Sequence, residues 1–393
     1  MQAPAPAPTP APLPLPQLAG LVVHWRDEAR LAELAAAWPR DDPRFELVVV
    51  DNSASGAAAL TGTMADALTG TVTDALAGTL AAASAAPVAA PPEKTSPGGG
   101  APPDQTSAPP IPGVRLLQPG RNLGFAGGVN AGVAATRAAL LLLLNPDAVP
   151  APGALERLVE GFAAHPEAAG LAPRLAGADG APQFAWQLRR LPSLWDCLRQ
   201  TLPWPAAGAG TGPDAEPPPG APVEQPAAAA LALRREALLA AGGLDERFHP
   251  AWFEDVDLAR RLRQAGAVLL YWPAAQFRHA QGATVSRLGY GRFLWIYHRN
   301  LERYLAKHHG AAWALAARAS LAAGLVVRLP LLAVRRPRRA ASRREAAAGL
   351  LLAMAGALSG WRLPRRLADD SRGGPPGAAA APIPRVEEIE HAG

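Results

Sequence analysis

Two acidic segments and one histidine hold the residues of this chain that can do chemistry. "NPD" ends an apolar run at Asn145 and Asp147. "WFEDVD" places Glu254, Asp255 and Asp257 directly after two aromatics, Trp252 and Phe253. His279 closes a second apolar run, "AVLLYWPAAQFRH". A hard divalent cation on a diphosphate takes one or two carboxylates and completes its shell with phosphate oxygens and water. A histidine is compatible with Mn²⁺. Asp147 and His279 are therefore candidate ligands for Mn²⁺ or Mg²⁺. A separate carboxylate, Asp255 or its neighbour Glu254, can take the proton of an attacking hydroxyl. Plainer readings stand beside these. Acids in the first turn of a helix favour its dipole, and "NPD" is also an ordinary turn signal.

The surrounding pattern supplies strands that end at these residues. "GLVVHW" is a first strand, ending at His24, and "DEARLAELAAAW" is a helix behind it. "FELVVVDNS" is a continuous apolar run ending at Asp51, as expected of a strand buried on both faces. Strand, helix, strand points to a parallel α/β sheet. Ligands in such sheets sit beyond the carboxyl ends of the strands, where His24 and Asp51 fall. "VRLLQP" is a short strand. "GRNLGFAGGVNAG" is a turn opening a helix, and its glycines allow close backbone approach to a ligand. Arg121, Asn122, Gly124, Gly127 and Asn130 of this turn, with His24, Asp51, Asn145 and Trp252, make up the candidate substrate-binding set.

Composition limits the rest. The chain has 393 residues, 43 of them Pro and 38 Gly, with a net charge of +5. Arginine carries almost all the positive charge, since Lys94 and Lys307 are the only lysines. One cysteine, Cys197, excludes a disulfide scaffold and reads as a small buried hydrophobe. The proline-broken start, residues 1–19, is not a signal peptide. It and residues 369–393 read as disordered tails. "TGTMADAL", "TGTVTDAL" and "AGTLAAAS" repeat in tandem from residue 61, too few copies for a solenoid. Residues 54–113 and 205–226 read as low-complexity insertions.

The order of the motifs is more specific than any one of them. "VVVDNS", "GRNLGFAGGVNAG", "LLLLNPDAVPAPGALERL", "LRREALLAAGGLDERF", "WFEDVDLARRLRQAG" and "FRHAQGATVSR" resemble the family 2 glycosyltransferases, in their rhamnosyltransferase-like branch. The resemblance covers residues 20–310 apart from the insertions. It implies an α/β GT-A fold: a Rossmann-like central mixed sheet with helices on both faces, followed here by a C-terminal helical tail. It implies inverting, metal-dependent transfer from a nucleoside-diphosphate sugar to a glycan or lipid-linked acceptor. Asp51 then matches the nucleobase ligand, Asp147 the metal ligand and Asn145 the other acidic position of that motif. Asp255 matches the catalytic base, and His279 a histidine that helps to hold the metal. Two features depart from the family pattern: the long link after "VVDN", and "EQPAAAALALRRE" where a Ser-Gly-Ala turn is usual.

Residues 318–366 hold eleven arginines and one acid, interleaved with apolar runs. Within the segment 311–368 these read as helices, either packed on the domain or lying in an anionic membrane face. No stretch of 18 uncharged apolar residues is present, so a clean membrane span is not expected. No nucleic-acid-binding motif accompanies the arginines. The expected location is cytoplasmic and peripheral on the inner face of the cell membrane. The competing functions are a nucleotide-sugar pyrophosphorylase, which lacks its glycine-rich loop here, and a non-catalytic glycan-binding or scaffold protein of the same fold.

Overall fold

The computed structural model describes residues 15–53, 113–202, 212–280, 288–334, 337 and 340–362. The tails before 15 and after 362 and the tract 54–112 lie outside the described residues. Apolar runs form the centre. β1 (Leu18–His24), β2 (Phe45–Asp51) and β4 (Leu140–Leu144) are parallel neighbours, with β3 (Val114–Leu117) at the edge of this half. β5 (Ala148–Pro150), β6 (Ala168–Ala176), β9 (Ala230–Arg234) and β10 (Val268–His279) complete an eight-stranded mixed sheet in the order 3-2-1-4-9-6-10-5. β9 runs antiparallel to β4 and β6, while β10 runs parallel to β6.

Alternation along the strands sends successive side chains to opposite faces. Leu18, Val22, Leu142 and Leu144 meet α1 (Glu28–Ala37) and α3 (Ala154–Ala164) through Leu31, Leu34, Leu155 and Phe162. Ala19, Leu21, Leu141 and Leu143 meet α2 (Gly124–Ala135) on the other face through Val129 and Val133. α6 (Arg235–Ala240) and α7 (Glu254–Gln264) join that second layer through Leu238, Leu258 and Leu262. The mixed α/β sheet with helices on both faces is the architecture the sequence led us to expect. Between β6 and β9, the short helices α4 (Phe184–Gln187) and α5 (Leu194–Arg199) flank β7 (Leu188–Arg189), which pairs with β8 (Gln225–Pro226). Cys197, on α5, is buried and burial pushes its thiol up to about 12, in keeping with a packing role.

The second expected insertion is corrected from residue 212 onward. Gly220 N donates to Tyr271 O at 2.8 Å, and Tyr271 N donates to Ala221 O at 2.8 Å. Val223 N donates to Leu269 O at 2.9 Å, and the Tyr271 hydroxyl donates to Glu216 at 2.6 Å. Proline-rich composition misled here because the N–H groups that remain are the ones used along β10.

Three long helices close the described chain: α8 (Tyr290–His308), α9 (Ala311–Leu331) and α10 (Arg343–Ser359). α9 carries Arg318 and Arg328, so the absence of 18 uncharged apolar residues in a row holds there. It is long and apolar enough to cross a membrane by length and composition, and 28% of its most apolar window is buried. Its two arginines turn inward: Arg318 pairs with Glu302, and Arg328 donates to the carbonyl of Leu202. Trp313, Leu315, Val326 and Val327 face out.

Candidate active site

Strand direction decides what meets. β1, β2, β4 and β10 all deliver their carboxyl ends to one edge of the sheet, where β9 begins. His24 and Asp51 are partners in register there, and both are buried. Asp51 Oδ1 accepts from Ser53 N at 2.9 Å and from the Ser53 hydroxyl. Among the described residues, Asp51 Oδ2 and both ring nitrogens of His24 lack hydrogen-bond partners. Buried polar atoms are rarely left so, and N–H groups of a nucleobase would satisfy the carboxylate. Burial lowers the His24 pKa against the pull of Asp51 and Glu28.

The glycine turn is stitched to this edge. Asn52, next to Asp51, accepts from Leu123 N at 3.2 Å and donates to Gly124 O at 3.0 Å. Asn122 Oδ1 accepts from Gly124 N at 2.8 Å. Gly124 has φ +73°, and a Cβ there would lie 2.9 Å from Pro250 O, so no other residue fits. Arg121 is exposed beside the turn. Two expected binding residues of α2 serve the scaffold instead. Asn130 donates to Leu244 O at 2.9 Å and to Glu246 at 3.0 Å, and accepts from Leu244 N at 3.0 Å. Gly127 faces Leu123 and Glu246 on that same side of the helix.

At the ends of β4 and β10 the two expected metal ligands meet. Asp147 Oδ1 lies 3.5 Å from His279 Nε2. Gln183 locks the imidazole: its Oε1 accepts from His279 Nδ1 at 2.9 Å, and its Nε2 donates to His279 O at 2.9 Å. Nε2 is thereby left as a lone pair facing the carboxylate, the tautomer a ligand needs. Trp186 stacks on the same ring at 5.2 Å. Burial pulls His279 down to about 4, with Arg30 adding to this. Burial also lifts Asp147 to about 6, opposed by Arg30. No cluster of three or more His, Cys, Asp or Glu able to hold a metal occurs among the described residues. A two-residue site suits a cation that draws its other ligands from a diphosphate and water. Asn145 is half-buried, with its backbone N–H donating to Ala229 O at 2.9 Å.

Asp255 stands at the start of α7. Its Oδ2 takes Gln225 Nε2 at 3.3 Å and lies 3.6 Å from Arg189 Nη2. Two short segments tie it to the metal end. Residues 183–189 run from the His279 contacts of Gln183 and Trp186 to Arg189 beside Asp255. Residues 225–229 run from Gln225 beside Asp255 to Ala229 on Asn145. Glu254 departs from its expected catalytic role. It is 6% exposed, its Oε2 has no hydrogen-bond partner, and burial with the nearby Asp255 raises its pKa well above the carboxylate range. Asp257 is not a cap: it binds Lys307 Nζ and His308 Nε2 at 2.7 Å and Arg261 Nε at 2.8 Å. The N-cap residue of α7, Phe253, makes no side-chain cap bond.

Trp252, expected at the substrate, packs edge-on against Phe293 at 5.2 Å. It and Phe253 both have left-handed backbones, φ +72° and +75°, which non-glycine residues adopt only when surroundings compel them. Asn300, fully buried, supplies that compulsion: its Nδ2 reaches the carbonyls of Phe248, Ala251 and Trp252 at 3.0, 2.7 and 3.2 Å. Asn300→Ala should cost about 2 kcal/mol, because buried carbonyls lose their donor. Urea unfolding checks this, and turnover should fall with it, since this backbone aims Asp255.

Sequence reasoning missed Arg30, Asn52, Gln183, Trp186, Arg189 and Gln225. Two of these carried a signal: Asn52 lies in the quoted motif "VVVDNS", and Gln225 in the segment that departs from the family pattern.

The family model described as "Glycosyl transferase family 2" matches residues 105–231. Over 250 residues the chain is 30% identical to the N-acetylglucosaminyl-diphospho-decaprenol L-rhamnosyltransferase of Mycobacterium tuberculosis, covering 58% of this chain and 79% of that protein. Over 166 residues it is 30% identical to the pre-mycofactocin glycosyltransferase of the same organism, covering 42% of this chain and 32% of that one. Among solved structures, the mannosyltransferase PcManGT from Pyrobaculum calidifontis in complex with GDP-Man and Mn²⁺ aligns over 90% of each chain, with a TM-score of 0.44 and 15% identity. The chain belongs to the family 2 glycosyltransferases and transfers a sugar from a nucleotide-sugar donor.

Proposed function

We propose that this enzyme is an inverting, metal-dependent transferase that moves a hexose, rhamnose first among candidates, onto a glycan or lipid-linked acceptor in cell-surface polysaccharide synthesis. The observation that carries this reading is the pair of bridges, 183–189 and 225–229, joining the Asp147–His279 end to Asp255. They support it by linking Asp147 and His279 to Asp255 at the sheet edge where β2 also ends in Asp51, one oxygen of which lacks a partner. Asp147 and His279 would hold Mn²⁺ or Mg²⁺, which when bound neutralises charge on a departing diphosphate. Asp51 binds the nucleobase. Asp255 takes the acceptor hydroxyl's proton as that oxygen attacks the anomeric carbon. A single displacement of this kind inverts the sugar. The name of the mycobacterial relative supports rhamnose and a diphosphate-linked lipid. The test offers dTDP-rhamnose and other nucleotide sugars with a polyprenyl-diphosphate N-acetylglucosamine acceptor and Mn²⁺, reading products by mass spectrometry. Rhamnose transfer with inverted configuration is expected. Transfer with retention, or none from any donor, would overturn the proposal.

The same reading places the enzyme in the cytoplasm, peripheral on the inner face of the cell membrane. The outward apolar face of α9 and the arginines from 335 onward support it. Replacing Leu315 and Val326 by Glu should release the protein from vesicles containing anionic lipid in a flotation assay without loss of thermal stability.

A further inference from the structure

Arg30 lies in the first half of α1, and nothing in its sequence context marks it. Its Nη1 donates to Asp147 Oδ2 at 3.1 Å and to Ala280 O at 3.1 Å, the carbonyl next to His279. Its Nε lies 3.6 Å from Asp27. The two oxygens of Asp147 are thus divided, Oδ1 toward the His279 lone pair and Oδ2 toward a guanidinium. The side chain is about one-third exposed, so it is free to turn, while its helix is anchored by Leu31, Leu34 and Ala35. A divalent cation at Asp147 would meet this fixed positive charge on the same carboxylate. With Asp147 and Asp27 each supplying one negative charge and His279 none, cation plus Arg30 leave the spot at +1. A diphosphate, being anionic, is the group that such a positive spot attracts. Guanidinium geometry suits that partner, since its fork takes phosphate oxygens in pairs.

We propose that Arg30 is a donor-diphosphate ligand that makes cation and nucleotide binding depend on each other: it holds Asp147 before loading and turns to the diphosphate afterwards. This rests on the nucleotide-sugar reading above. By linkage, a charge that opposes the cation alone but favours the diphosphate must make each ligand tighten the other. Removing it should therefore change two affinities in opposite directions.

The experiment measures Mn²⁺ binding without nucleotide by electron paramagnetic resonance, and dTDP and UDP binding at saturating Mn²⁺ by calorimetry, on the full chain. For Arg30→Gln, Mn²⁺ alone should bind about threefold or more tightly, from relief of repulsion. The nucleoside diphosphate should bind about 10–100-fold more weakly, from loss of a charge-assisted bond. Arg30→Lys keeps the charge and loses the fork, so its Mn²⁺ affinity should stay near wild type while nucleotide affinity falls. If Arg30→Gln binds Mn²⁺ no more tightly, or leaves nucleotide affinity unchanged, Arg30 is only a structural partner of Asp147. A wild-type chain that binds neither nucleotide would overturn the nucleotide-sugar reading as well.

Discussion

Asp255→Asn is expected to lower turnover by about 10²–10⁴-fold, the range that a positioned general base contributes. Nucleotide affinity and thermal stability should stay close to wild type. The stability expectation follows from the contacts. Asp255 accepts from Val256 N at 2.8 Å through Oδ1, which an amide oxygen can also do. Its ion pair with Arg189 is long, at 3.6 Å, and Arg189 is 30% exposed. Such a pair is worth about 1 kcal/mol or less. A change of shape is therefore nearly absent, and what disappears is the capacity to accept a proton. Turnover within a few fold of wild type would remove Asp255 from the chemistry. Glu254 is then a poor substitute, because it is buried, only 6% exposed.

Asp147→Ala should abolish the dependence of nucleotide binding on Mn²⁺. Changing a residue that merely supports a metal ligand costs about 10–100-fold in affinity, so losing the ligand itself should exceed that. Calorimetric titration of a nucleoside diphosphate with Mn²⁺ and again with chelator provides the comparison. Two clearly different curves are expected for wild type and two matching curves for the variant. An undiminished difference in the variant would move the cation away from the ends of β4 and β10. The fold should survive, since Asp147 sits in a turn closed by backbone bonds, Ala148 N to Asn145 O at 3.0 Å and Ala280 N to Asp147 O at 3.2 Å.

The sheet was legible because its strands are nearly pure apolar runs, and the polar residues at or just past their ends, His24, Asp51, Asp147 and His279, are the ones it gathers at one edge. Period and polarity alone locate such endings. Asp255 was recognisable from its motif, but the separate fates of its neighbours were not. The pairing of Asp257 with Lys307 and His308 depends on α8, some fifty residues further on. Asn130 looked like a ligand because it follows glycines, yet its amide is taken up by the backbone of Leu244. Gln183, Arg189 and Gln225 escaped notice for the same reason in reverse. Each acts across a strand crossover that no local pattern encodes, and amide side chains have no periodic signature. The tract from 212 to 226 shows a third kind of failure, in which composition was taken for disorder although the available N–H groups were all that edge of β10 required.

The stretch from Gln183 to Arg189 behaves as a ruler. Gln183 is fixed to His279 by two hydrogen bonds, one to the imidazole and one to the backbone carbonyl, and Arg189 is fixed by pairing of β7 with β8 as well as by Asp255. Between them lies a single helical turn, whose length cannot change by one residue without rotating Trp186 off the ring or withdrawing Arg189 from the carboxylate. Substitutions along this stretch can alter affinity by degrees. Insertions and deletions cannot, because they change the distance between the two ends of the reaction. Homologous enzymes that keep both ends should therefore hold the count of residues here constant.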